Sequence, residues 1–227
     1  AQDPLGRNFG ETLGVYLPMD LQSKTPEEGL FDSAAAILNL QKLEDTLWRL
    51  APPKWPEEIL GKIDQKKALE GKALFAQNCA SCHNAYPYKW TKPNKYGKSF
   101  MEVGMIPQKD VGTDGTMFED AQFQRAYAIT LQLSAYQPPP YKDKEIVPMG
   151  VFFQALRGAV TDRALGQLKL TEAEEVDLHG YRELPTPRPT LGEYKAGPRE
   201  GAWATPPFLH NGSVPNLYEM LIPARER

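Results

Sequence analysis

The chain has 227 residues, enough to bury a real core, and its charge is nearly balanced, with 26 basic against 29 acidic side chains and a net charge of −3. No lysine- or arginine-rich block stands out, and no apolar run approaches the ~20 residues needed to cross a bilayer, which argues against a nucleic-acid partner and a transmembrane segment. Proline is unusually frequent, 21 residues, close to twice the average share, and predicts ordered, irregular connections between short helices. The chain opens on the polar Ala1-Gln2-Asp3-Pro4 with no signal peptide in view. It is expected to be a mature form with its signal removed, or a piece of something longer.

Glycine and proline recur closely through residues 1–30, which read as coil with short turns. From Phe31, apolar residues mostly at three- and four-residue steps (Ala35, Leu38, Leu40, Leu43, Leu47, Leu50) predict a helix that Pro52, Pro53 and Pro56 end. A second helix is predicted from Asp64, its cap, to about Ala80, with Gly71 marking a close packing contact. Residues 84–118 read as loop. A third helix is predicted over Glu119–Ala135, with Phe123, Tyr127 and Leu131 on one side, before the break at Pro138-Pro139-Pro140. A fourth covers about Met149–Leu165. A fifth starts at a Thr171–Glu174 capping box and ends near Gly180. A long proline- and glycine-punctuated segment follows, and its aromatics argue for packing. A short last helix over Pro215–Leu221 is predicted with Ser213 as its cap. Alternating strand patterns are nearly absent, so the expected class is all-α with long Pro/Gly-rich ordered loops.

The two cysteines of the chain fall in Cys79-Ala80-Ser81-Cys82-His83. A thioredoxin-like dithiol needs a neighbouring βαβ pattern, which is not in view. A zinc site needs four ligands, and His179 and His210 stand far wider apart than zinc-finger histidines do. Covalent c-type haem needs two thiols for the vinyl carbons on one porphyrin edge and an imidazole that swings under the iron. A helix ending in Cys-x-x-Cys-His meets both demands, with His83 as the axial ligand. Such haem is attached outside the cytoplasm, so the protein is expected to be periplasmic or secreted, with one haem c held through Cys79 and Cys82.

A second stretch, "GAWATPPFLHNGSVPNLYEML" (Gly201–Leu221), resembles the signature of the rubber oxygenase A-like multihaem cytochromes, relatives of the bacterial di-haem cytochrome c peroxidases. "LWRLAPPKWPEEILGKIDQKKALEGKALFAQNCASCH" resembles the run into that family's second haem. "VGTDGT" (Val111–Thr116) resembles its segment after the haem, and "RNFGETLGV" (Arg7–Val15) a stretch between the haem domains. The resemblance implies two parts: residues 1–60, akin to the inter-haem region, and residues 61–227, a cytochrome c-like helical haem domain. Those relatives carry two CxxCH motifs and this chain one. It therefore matches their second-haem half, where the sixth iron ligand comes from later sequence: histidine in the oxygenases, methionine in the peroxidases.

The resemblance also implies site residues. His210 matches the family histidine; it reads as a donor to haem or its propionates, as an axial ligand, or as a tie for the proline-rich loop. Trp203 and Phe208 are candidate haem-pocket or loop-packing aromatics. Independently of the resemblance, a thioether is a common sixth ligand: Met149, 66 residues after His83, and Met105, in the loop expected to pass over the haem, are candidates, with core packing the alternative for each. Phe9 and Tyr16 are candidates to face a partner haem or to pack on the surface. The expected function is electron transfer through one haem, with a redox partner protein or a second haem domain. The alternatives are a di-haem oxygenase or peroxidase acting on O2 or peroxide, and a cytochrome subunit of a larger redox complex.

Overall fold

The computed structural model describes residues 3–112, 114–128, 132–183, 192–209, 212–223 and 226. Helix formation begins earlier than the glycine-rich opening suggests. Helix α1 (Pro4–Gly14) starts where the Asp3 side chain accepts from the Gly6 N–H at 2.6 Å and Pro4 takes the first helical position. The predicted helix from Phe31 is shorter at both ends, as α2 (Ile37–Leu47). A single turn, α3 (Glu57–Leu60), precedes α4 (Gln65–Asn78), which Asp64 caps as expected by accepting from the Lys66 and Lys67 N–H groups. The close contact expected at Gly71 is not found: a Cβ there would have nothing within 4 Å.

Strand β1 (Gly104–Pro107) and the short α5 (Gln108–Val111) lead to α6 (Thr116–Phe123). The helix predicted over Glu119–Ala135 stops at Phe123. Arg125 folds back so that its Nη1 donates to the carbonyls of Gln122, Phe123 and Gln124 at 2.8, 3.1 and 3.4 Å, capping the helix end. The chain then becomes β2 (Arg125–Tyr127), antiparallel to β3 (Ile146–Pro148), with Ala126 opposite Val147. Phe123 and Tyr127 are exposed, so no buried helical face rewards continuing the helix. Helix α7 (Met149–Leu168) follows directly, then α8 (Glu172–Leu178), which carries the expected Thr171–Glu174 capping box. Strand β4 (Glu193–Ala196) pairs with β1, and α9 (Leu217–Leu221) is capped by Asn216 rather than Ser213.

The all-α expectation is therefore corrected. Among the described residues helices dominate at 46 %, but 10 % are strand, in two small antiparallel sheets. Strands of three or four residues are too short to print a period-two pattern on the sequence.

The chain divides into two units, Ala1–Arg49 with Lys92–Ser99 and Pro107–Tyr194, and Leu50–Thr91 with Phe100–Ile106 and Lys195–Arg227. In the first unit α7 is the central element. Val151, Ala155, Leu156, Ala159 and Val160 are buried in one cluster with Leu5 and Phe9 of α1, Leu133 and Val147. Gly158 lets the Tyr136 ring approach: a Cβ there would lie 3.0 Å from it. Phe9 is 0 % exposed, a core residue of this unit, whereas Tyr16 stands in solvent. Burying the Phe9 ring contributes about 1.5–3 kcal/mol.

The first unit also holds a half-buried contact between a carboxylate and a histidine. His179, which ends α8, lies with Nδ1 3.0 Å from Asp3 Oδ1, their side chains 20 % and 14 % exposed. Burial opposes the charge on Asp3, but the His179 bond, the Gly6 N–H and the charges of His179 and Arg157 together outweigh it and hold the carboxyl below its ordinary 3.8. A carboxyl depressed in the folded state stabilises fully above its unfolded value, and that contribution is lost as pH falls through the folded one. Asp3→Asn keeps a capping oxygen and removes the charge. It is expected to lower stability by about 1 kcal/mol at neutral pH. Urea melts of the two proteins should converge as pH drops below 3.8; a gap that stays constant to low pH would refute the role of the Asp3 charge.

Candidate functional site

The second unit carries the cysteine motif at the end of α4. The chain keeps winding beyond the helix: Cys79 and Ala80 donate their N–H groups to the Phe75 carbonyl at 2.9 and 3.0 Å, and Cys82 and His83 donate to the Cys79 carbonyl at 3.1 and 2.9 Å. Residues three apart on such a turn lie on one side of it, the side that Cys79 and Cys82 share. Both cysteines are free and half-buried.

His83 is held by its ring. Its Nδ1 lies 2.8 Å from the Gly197 carbonyl, in the loop after β4. A carbonyl only accepts, so this bond assigns the proton to Nδ1 and leaves the lone pair on Nε2. Arg199 of the same loop has its Nε 3.2 Å from Nδ1. One residue on, Glu200 bonds the Tyr88 hydroxyl and pushes the phenol up to about 12.

Strand β1 crosses the motif at close range. A Cβ on Gly104 would come 2.5 Å from the Cys82 carbonyl oxygen, so only glycine fits without moving the backbone. Asn84 ties down the segment after the histidine: its Nδ2 donates to the Lys89 and Glu102 carbonyls at 3.0 and 2.9 Å, and its Oδ1 accepts from the Lys89 N–H at 3.0 Å. Beside Cys82 lies a cleft of about 510 Å³ with Phe75, Ala76, Tyr86, Pro87 and Val103 in its wall. That volume is in the range of small-molecule and cofactor sites.

The unit has little core of its own. Among its described residues, Ala196 and Val214 are the buried hydrophobics. Helix α4 buries none of its residues, and Leu69 and Leu74 are 68 % and 60 % exposed. A large cofactor with an apolar body and charged edge groups fits this chemistry: two free thiols on one turn, an imidazole with Nε2 available, a cleft beside the second thiol walled by apolar side chains and by Lys72, Asn84, Lys89 and Glu102, and exposed apolar side chains on α4. Among the described residues no cluster of three or more His, Cys, Asp or Glu is placed to hold a metal ion, so a zinc site has no donor set there.

The other candidates are dispersed. Met105 follows Gly104 on β1 in the second unit and is exposed. Met149 opens α7 in the first unit. Trp203 donates through Nε1 to the Pro53 carbonyl at 3.2 Å and meets Trp55 edge-on, ring centroids 5.2 Å apart. Phe208 forms an antiparallel bridge with Val214, its N–H 2.7 Å from the Val214 carbonyl. His210 lies outside the described residues. Sequence reasoning missed Gly197, Arg199, Gly104 and Asn84. Glycine and proline in "KAGPREG" mark a loop, but nothing local says which distant side chain the loop meets.

Residues 192–227 match the family described as RoxA-like, cytochrome c-like. The chain is 32 % identical over 248 aligned positions to the uncharacterized protein y4iJ of Sinorhizobium fredii (strain NBRC 101917 / NGR234), an alignment spanning 99 % of this chain and 39 % of that protein. It is 27 % identical over 191 positions to the uncharacterized protein y4iM of the same organism, covering 83 % of this chain and 34 % of that protein. The chain thus spans between a third and two fifths of the length of the curated relatives it matches. No solved structure matches it. Its C-terminal region is cytochrome c-like, which suggests a haem-binding role. Among the described residues no helix is long and apolar enough to cross a membrane.

Proposed function

We propose that the chain is a c-type cytochrome region that transfers electrons through one haem. Cys79 and Cys82 would hold the haem through their thiols, and His83 would be its iron ligand through Nε2. The observation that carries this reading is the His83 ring, whose Nδ1 lies 2.8 Å from the Gly197 carbonyl, the acceptor that the N–H of a ligating imidazole uses. The haem supplies one-electron exchange. The chain's residues fix the imidazole, and Phe75, Tyr86 and Val103 offer apolar surface in the cleft beside Cys82. Because such attachment takes place outside the cytoplasm, the protein works in the periplasm or as a secreted protein. Its partner is a redox protein or a second haem domain. Met105 and Met149 are its own candidates for the sixth ligand.

A second reading rests on the resemblance to the di-haem oxygenases and peroxidases, with the RoxA-like match of residues 192–227 in its support: the chain is the second-haem part of an oxygenase or peroxidase acting on O2 or peroxide.

The test is the optical spectrum of protein produced with a haem-attachment system, reduced, with and without CO. A haem spectrum of two strong axial ligands, unchanged by CO, is expected for electron transfer. CO binding would move the assignment to the enzyme reading, and a purified chain without covalent haem would overturn both.

A further inference from the structure

Three consecutive anchor points on one loop converge on the motif segment: the Gly197 carbonyl and the Arg199 guanidinium on His83, and Glu200 on Tyr88. The two contacts on His83 compete. The carbonyl at 2.8 Å requires a proton on Nδ1, whereas Arg199 Nε–H at 3.2 Å requires a lone pair there. One nitrogen cannot serve both. From the proposed haem ligation, on which this inference rests, we infer that Arg199 is a positioning residue whose charge sets the reduction potential through His83.

The argument is electrostatic. Ligation through Nε2 leaves the proton on Nδ1, so the Gly197 bond persists and Arg199 becomes a cation against an N–H donor. A carbonyl acceptor by itself draws that proton outward, makes the ring more electron-rich and favours the oxidised iron. A cation on the same nitrogen opposes that polarisation. It also disfavours the positive charge added on oxidation, so it favours the reduced state. Among the described residues Arg199 makes no ion pair within 4.0 Å. Arg199 is exposed, so solvent screens part of the effect.

The test is a redox titration of the haem-loaded protein carrying Arg199→Lys, Arg199→Gln or Arg199→Glu, with haem content measured on each sample. The ratio of oxidised to reduced protein at a fixed potential should rise by about three- to tenfold in Arg199→Gln, tenfold being 59 mV for one electron. It should rise further in Arg199→Glu and stay within about twofold of the parent in Arg199→Lys, following charge. Equal shifts in Lys and Gln, no shift at all, or loss of haem from any of the three would overturn the inference, because a side chain acting by charge alone leaves attachment intact. A parent protein without haem would instead overturn the proposed function.

Discussion

Replacing Cys79 and Cys82 together with serine is expected to abolish covalent haem entirely, and either single replacement to reduce it sharply. The two thiols lie on one turn that the Phe75 and Cys79 carbonyls hold. Serine keeps the backbone bonds and nearly the same volume but cannot form a thioether, so the variant isolates the chemistry from the fold. Haem staining of a denaturing gel, with intact mass, checks the result. Haem that remains attached in the double variant would remove both cysteines from the site. A parent chain that carries a Cys79–Cys82 disulfide and no haem would favour the dithiol reading.

The same double variant is expected to lose structure selectively. The second unit buries Ala196 and Val214 among its described hydrophobics, and α4 buries nothing. A 14-residue helix such as α4 has marginal stability by itself, so the apolar surface of a bound cofactor has to supply most of the burial that holds this unit. Amide exchange over α4 and over the loop around Gly197 should be about 100-fold faster in the haem-free variant than in the loaded parent. The first unit should keep its protection, because Phe9, Leu133 and Val160 pack there without help from the motif. Equal protection of α4 in both proteins would show that the unit is stable without the cofactor.

The candidate site was legible only along the chain. Cys79, Cys82 and His83 declare themselves by spacing, because the reach of two thiols and one imidazole is set within five residues. Met149, chosen by its distance from His83 along the sequence, and Met105, chosen for the loop it sits in, fall in different units, and neither cue says which unit a methionine joins.

Local interactions explain what the sequence determined by itself. Asp64 caps α4, and Thr171 and Glu174 close a box at α8, because a cap involves only the first turn of its own helix. Tertiary structure decided the rest. It turned the expected helix after Phe123 into β2, because pairing with β3 satisfies backbone groups that an exposed helical face would not reward. It placed Phe9 in a core that α7, far along the chain, builds around it. It also brought the Gly197 carbonyl to His83 across a separation of 114 residues. Such a bond has no periodic trace in the sequence, since a backbone carbonyl is present at every residue and only the fold selects the one that reaches the ring.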